Sequence, residues 1–338
     1  MPLRRTFAPT LLAVALAACT GAACTAPASP ADLELDSPDA ATGPRAPGLH
    51  SDLAGSDGDV TSDAGALVDL ASSGADLSPP PYGTQRAVPI DDTALFGAAP
   101  PNGYYEYVPS EYAASGARKW PLVIMLHGIG QLGDGKLVGP GTPTKGHLEA
   151  LLTTGLTKLI DEGKLPIPND AVVLSPQGAS YFTPAKITAF LAWAKAHYRV
   201  EPKRLYLTGL SYGGMASWDY VQARGDAGEF AAVVPISGDG TGQAVTCAQF
   251  ATTPLWAFHG DADANYPTRV ALDEAAYAAI KGCSPAPTAP IKLTIYPGVG
   301  HNSWDLTYSL SGMAHSTSPA YDPYDISVYT WMLAQSKP

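Results

Sequence analysis

From residue 104 onward, short apolar runs recur along the chain, separated by polar and glycine-rich segments. The run Leu122-Val123-Ile124-Met125-Leu126 is continuous rather than alternating. That is the pattern of a strand covered on both faces in a parallel sheet. Comparable runs predict strands at 104–108, 122–126, 171–174, 205–208, 232–236, 255–258 and 293–296. Helix-like segments fall at 147–162, 184–197, 214–224, 267–281 and 325–334. Pro184 and Pro267 stand where a first helical turn accepts proline. Strands that alternate with helices predict one α/β domain over 86–338, a mostly parallel central sheet flanked by helices. No stretch reads as a separate lid domain. The longest irregular stretches, 128–146, 238–253 and 306–323, are the expected walls of a cleft.

The chain before residue 86 has a different character. Arg4 and Arg5 precede the apolar stretch Leu11-Leu12-Ala13-Val14-Ala15-Leu16-Ala17-Ala18, too short to span a bilayer. Residues 1–19 therefore read as a signal peptide. Its end, Leu16-Ala17-Ala18-Cys19, resembles a bacterial lipobox, which implies a lipid on Cys19. In such lipoproteins Thr20 in the next position implies the outer membrane. The alternative is a plain secretory signal cut near Ala18 or Ala23. Residues 20–85 are rich in Ala, Asp, Ser, Gly and Pro, and the first aromatic residue is Tyr82. Such a segment cannot bury enough apolar area to offset the entropy of ordering, so it is expected to be a disordered linker. It holds ten acidic residues against Arg45 alone, so 86–338 carries only −4 of the net −11. The acidity belongs to the tether. The sequence shows no basic patch to hold phosphates, which argues against a nucleic-acid partner.

Candidate chemistry centres on Thr208-Gly209-Leu210-Ser211-Tyr212-Gly213-Gly214, between an apolar run and a helix-like segment. A serine flanked by glycines at two-residue spacing, in a strand–turn–helix setting, is a nucleophile elbow. A serine hydroxyl needs a base, an acid to orient that base, and donors for an oxyanion. The expected base is His301, in the loop after the last strand, with His315 the rival. The expected acid is Asp263, in the loop after 255–258, ahead of Asp261 and Asp239. The expected oxyanion hole is the backbone N–H of Tyr212 with that of Ile129, or of Gly128, in Leu126-His127-Gly128-Ile129-Gly130. His127 is expected to hold that loop by bonding its backbone. Asp261-x-Asp263-x-Asn265 starts like a calcium loop and then fails, with Tyr266 where glycine is required. No metal or organic cofactor is expected. Tyr212 is expected to see substrate, Trp304 to line a wall, and Trp218 to pack in the core.

These blocks together resemble secreted bacterial α/β-hydrolases of the esterase, phospholipase and "predicted peptidase" group, similar to polyhydroxybutyrate depolymerase-like and feruloyl-esterase-like enzymes. The residues that carry the resemblance are Pro121-Leu122-Val123-Ile124-Met125-Leu126-His127-Gly128-Ile129-Gly130, Ser175-Pro176-Gln177, Val200 through Gly214 with Trp218, Trp256-Ala257-Phe258-His259-Gly260-Asp261-Ala262-Asp263, and Tyr296-Pro297-Gly298-Val299-Gly300-His301-Asn302-Ser303-Trp304. The resemblance implies an α/β-hydrolase fold and a triad of Ser211, Asp263 and His301 acting on carboxylic esters. Gln131 stands where relatives often have Glu, and Asn265-Tyr266-Pro267 replaces an apolar pair before proline.

Four cysteines complete the reading. Cys19 is the lipid candidate and Cys24 lies in the linker. Cys247 and Cys283 flank the segment that holds Asp263 and are expected to form a disulfide in an exported protein. The expected protein is thus an exported serine esterase, touching a membrane only through Cys19, with an ester as its partner. A peptidase on the same fold and a non-catalytic binding module are the alternatives.

Overall fold

Eight strands form a single sheet in a computed structural model that describes residues 83–88, 103–138, 145–164, 167, 170–240 and 244–338. The expected signal peptide, with Cys19 as its lipid candidate, and Cys24 and nearly all of the acidic stretch lie outside the described residues. The strands are β1 (Thr84–Val88), β2 (Tyr104–Val108), β3 (Trp120–Leu126), β4 (Val172–Pro176), β5 (Val200–Leu210), β6 (Ala232–Ile236), β7 (Leu255–Gly260) and β8 (Ile291–Tyr296). Their order across the sheet is β1-β2-β4-β3-β5-β6-β7-β8. The β1–β2 and β2–β4 pairs are antiparallel, and every pair from β4 to β8 is parallel. The helices are α1 (Gly155–Asp161), α2 (Pro184–His197), α3 (Tyr212–Arg224), α4 (Pro267–Lys281), α5 (Trp304–Tyr308) and α6 (Val328–Leu333).

The unbroken apolar runs follow from this architecture. Every residue of β3 is buried. Leu122, Ile124 and Leu126 join a core with residues of α2, α3 and α4, while Val123 and Met125 join another with residues of α1, α5 and α6. Successive side chains on a strand point to opposite faces, so a sheet covered on both sides needs apolar residues at every position. The same alternation holds in β7, where Leu255 and Ala257 face one layer and Trp256 and Phe258 the other.

Three expectations change. A strand lies where none was expected: β1 begins at Thr84, ahead of the first expected strand at 104–108. It is a half-exposed edge strand, so its sequence carries no continuous apolar run. The single helix expected at 147–162 is a 3₁₀ segment, Leu148–Thr153, followed by α1. Thr154 between them is extended and Gly155 has φ +68°. A Cβ at Gly155 would stand 2.3 Å from Met125 Cε, so the chain presses on the sheet here and cannot continue as one helix. The irregular stretch 306–323 holds the end of α5 and a 3₁₀ turn, Ser311–Ala314. Among the described residues no separate lid domain is present, and no helix is long and apolar enough to cross a membrane.

Cys247 and Cys283 form a disulfide across 36 residues. It ties the segment ahead of β7 to the end of α4, the two elements that frame the Asp263 loop. Replacing both cysteines by serine is expected to cost about 3–4 kcal/mol in the chain-entropy account. Denaturant unfolding of the oxidised protein beside the double variant measures this. Equal midpoints would show that the bond adds nothing.

Candidate active site

Four loops meet at the carboxyl edge of the parallel strands, where open α/β sheets place their ligands. They follow β3, β5, β7 and β8. Ser211 follows β5 directly and has φ 50° and ψ −113°, a conformation rare for a residue with a side chain. The turn is enforced by backbone crowding. A Cβ on Gly209 would lie 2.3 Å from the Gly213 carbonyl oxygen, and one on Gly213 would lie 2.2 Å from that of Leu126. The Ser211 N–H donates to the Ile236 carbonyl at 2.9 Å, which fixes the turn to β6.

The structure brings Ser211, His301 and Asp263 into one hydrogen-bonded chain. Ser211 Oγ is 2.8 Å from His301 Nε2, and His301 Nδ1 is 2.7 Å from Asp263 Oδ2. The Tyr266 N–H donates to Asp263 Oδ1 at 3.0 Å. Two loops are laced together to achieve this. Ala262 N–H donates to Val299 O at 2.9 Å, and Gly298 N–H to Asp261 Oδ1 at 2.6 Å. The Asp261 carboxylate therefore pins the turn before His301 instead of meeting its ring. His315 bonds the Ser316 carbonyl and stands against Tyr296. Ser237, with φ 48°, donates or shares its hydroxyl with the His301 carbonyl and Ser303 Oγ, both at 2.7 Å, and so holds the His301 loop from below.

The electrostatics follow from burial and these bonds. Burial raises the Asp263 carboxyl, but its bonds from His259 and His301 outweigh that and leave it well below the usual carboxylate range. Burial lowers His301 below its ordinary value; Asp263 opposes the shift, while the charges of His259 and Arg269 add to it. His301 is therefore neutral near pH 7.

The loop after β3 stands against the serine. A Cβ on Gly128 would come within 3.6 Å of Ser211 Cβ. Ile129 begins the 3₁₀ turn Ile129–Gln131, and Tyr212 begins α3. The N–H groups that open a helical turn have no partner within it, so both are free to serve an outside acceptor. His127 accepts from the Gly178 N–H at Nε2, 2.9 Å, so its Nδ1 carries the proton given to the Gly128 carbonyl at 2.7 Å. Burial drives this ring down to about 4, so it stays neutral. Gln177, fully buried, donates to the carbonyls of Gln131 and His147 and accepts from the Gly135 N–H. It fastens both ends of the irregular stretch around the site. Gln131 itself reaches Thr153 Oγ1 at 3.4 Å.

Aromatic side chains surround the serine and histidine. Tyr212 packs on Tyr181, ring centroids 4.6 Å apart, and Tyr181 donates to Asp219 at 2.6 Å. Tyr266 and Trp304 each meet the His301 ring edge to face, at 4.8 and 5.2 Å. Trp218 is fully buried in the core. Sequence reasoning missed Gln177, Ser237, His259, Asp273 and the contact of Tyr266 with the histidine. His259, Asp263 and His301 are close enough to hold a cation. Their nearest atoms are instead engaged with one another as donors and acceptor, with no electron pairs left aimed at a common point.

No family model matches the chain, and no curated protein matches it. A thermostable esterase superposes with a TM-score of 0.51 at 20% identity, covering 77% of this chain and 64% of that one. A ferulic acid esterase gives 0.48 at 16%, covering 68% and 95%. An S-formylglutathione hydrolase (FrmB) from Staphylococcus aureus gives 0.46 at 13%, covering 75% and 97%. The chain thus has the α/β-hydrolase fold and is similar in fold to esterases.

The crowding at the elbow makes a specific expectation. Gly213→Ala should destabilise by about 3 kcal/mol or more, because backbone must move to admit the methyl group. Gly130→Ala, with open space around its Cβ, should stay within about 0.5 kcal/mol of wild type. Denaturant midpoints of the two variants test the contrast, and similar midpoints would contradict it.

Proposed function

We propose that the protein is a serine hydrolase that cleaves carboxylic esters through an acyl-enzyme. The observation that carries this reading is the hydrogen-bonded chain from Ser211 Oγ through His301 to Asp263, with every member buried or nearly so. His301 Nε2 takes the Ser211 proton as Oγ attacks the ester carbonyl. Asp263 holds the ring with Nδ1 protonated and stabilises the imidazolium that forms. The N–H groups of Ile129 and Tyr212 receive the oxyanion, a task in which one donor is worth on the order of 3 kcal/mol. His301 then protonates the departing alcohol. Water, deprotonated by the same nitrogen, attacks the acyl-enzyme and releases the acid and the free serine. Every step uses side chains and backbone of this chain.

Tyr181, Tyr212, Tyr266 and Trp304 around the serine suit an acyl group with a flat or extended apolar face. Feruloyl groups on polysaccharide and polyester oligomers fit that description, whereas short acyl esters and acetyl groups need no such face. The disulfide suits an oxidising compartment outside the cytoplasm, in keeping with an exported protein held by a lipid on Cys19 or released.

Wild-type protein is expected to react with a fluorophosphonate at Ser211 and to hydrolyse p-nitrophenyl esters faster than matched anilides. Ser211→Ala should lose labelling and lower kcat by on the order of 10⁴-fold or more. Ester turnover undiminished in that variant would end the proposal. The reaction needs neutral His301, whose pKa is lowered by burial first and by His259 and Arg269 in addition. Activity is therefore lost as pH falls through that lowered value, and the midpoint of the acid limb of kcat/KM should lie below the ordinary histidine pKa of about 6.5. A profile whose acid limb lies above that value would contradict the assignment of the base.

A further inference from the structure

The hydrogen-bonded chain does not end at its carboxylate. Asp263 Oδ2, which meets His301 Nδ1, also lies 3.1 Å from His259 Nε2. The other nitrogen of that second ring, Nδ1, lies 2.6 Å from Asp273 Oδ2. His259 and Asp273 are both fully buried. Two periodicities bring them together. Along β7, Leu255 and Ala257 face the layer that contains α4, and His259 continues that row. On α4, Val270, Asp273, Ala276 and Ile280 make up the buried stripe. A carboxylate within such a stripe needs a partner of opposite charge, since an unpaired buried ion costs several kcal/mol. His259 is the partner in reach.

Counting protons assigns the state of the ring. Both nitrogens of His259 face carboxylate oxygens at hydrogen-bonding distance. A neutral ring has one N–H and would aim a lone pair at the other oxygen; an imidazolium donates to both. Asp273 Oδ1 has no hydrogen-bond partner among the described residues. The adjacent imidazolium is therefore what offsets that carboxylate. The other charged groups around the pair are His301 from the loop after β8, Arg269 on α4, Asp239 in the loop after β6, and Asp219 on α3 beyond it. Burial alone drives His259 down, but its bonds to Asp263 and Asp273 overcome this and lift it to about 9.

We propose that His259 is a positioning residue: a buried imidazolium that bridges Asp273 to Asp263, fixes the Asp263 carboxylate against His301, and biases His301 toward its neutral, proton-accepting form. The proposal rests on the reading of Ser211, His301 and Asp263 as a triad. It has a geometric part and an electrostatic part. With the Tyr266 N–H on Oδ1 and His259 on Oδ2, the Asp263 carboxylate is held at both oxygens and cannot rotate away from His301. The fixed positive charge beyond Asp263 opposes a second positive charge on His301, so the base stays unprotonated to lower pH. When His301 does take the serine's proton, two imidazoliums alternate with two carboxylates along the chain and the buried set is electrically balanced.

Nitrogen-15 NMR of the histidine-labelled full chain reads the charge directly. One ring should show both nitrogens protonated and should not titrate between about pH 6 and pH 8, and its signals should vanish in His259→Gln. A His259 with one bare nitrogen at about pH 7 would overturn the proposal, and this measurement needs no variant that folds. His259→Gln keeps an N–H for Asp263 without the charge. Its kcat/KM should fall roughly 10- to 100-fold, the usual size for loss of an outer orienting partner. The fall should be carried by kcat, with KM unchanged, and the acid limb should move to higher pH. Asp273→Asn should move the limb the same way. A purely structural role would lower the amount of active protein and leave the limb in place, and that result counts against the proposal. Fluorophosphonate labelling of the wild type separates the two readings. Absence of label removes the triad itself, whereas label with a neutral His259 or an unmoved limb removes only this inference.

Discussion

The approach of backbone to backbone at the Ser211 turn is the constraint on which the rest depends. Three close approaches there leave no room for a side chain: the end of β5 against the start of α3, α3 against the end of β3, and Gly214 of α3 against Ile236 of β6. The strained serine backbone costs on the order of 1–3 kcal/mol, and only surrounding structure can hold it. Here the Ser211 N–H is taken by Ile236 and its carbonyl by the Met215 N–H, each at 2.9 Å. The elbow is therefore part of the sheet's central strands, not an ornament upon them. The hydroxyl, the loop after β3 and the first N–H of α3 inherit fixed relative positions from the same contacts.

Charge buried behind the elbow sets a second requirement. Asp263, His259 and Asp273 lie within the fold with almost no solvent contact. A lone carboxylate there would neutralise itself by taking up a proton. Three donors on Asp263 prevent this, and the acidic shift of that carboxyl is the signature of their success. The neutral polar groups around the site obey the same rule by different means. His127 and Gln177 spend their hydrogen-bonding capacity on loop backbone that no strand or helix would otherwise pair. The loop backbone at Gly128, Gln131, Gly135, His147 and Gly178 is held in this way.

Much of this was legible in the sequence, and the illegible parts share one cause. Continuous apolar runs mark the central strands because both faces of the sheet are covered, and the helices that start at Pro184 and Pro267 are bounded by the residues expected. The loops that carry Ser211, Asp263 and His301 could be ordered because each follows such a run. β1 escaped because an edge strand with one wet side has no such pattern. The break at Gly155 escaped because its reason, Met125 and Leu210 pressing on the same point, is tertiary. Ser237, His259 and Asp273 escaped likewise: each bonds a residue from another loop or element. Asp273 alone left a trace, an acidic residue at helical spacing within an otherwise apolar stripe.

The departure at Asn265-Tyr266-Pro267 gains a physical meaning from its place. Ahead of Pro267 this chain sets a tyrosine whose backbone N–H holds Asp263 and whose ring meets the His301 ring in a T-shaped contact at 4.8 Å. Arg269, one helical turn further on, lies over the far side of that ring at 3.7 Å. A cation stacked on an aromatic face stiffens the ring and adds positive potential near the base. Trp304 closes the other flank, its indole N–H tied to Thr154 at 2.8 Å. The histidine is thus in contact with two aromatic rings as well as held by its two hydrogen bonds. Tyr266 therefore bears on both His301 and Asp263, through its ring on the one and its backbone on the other.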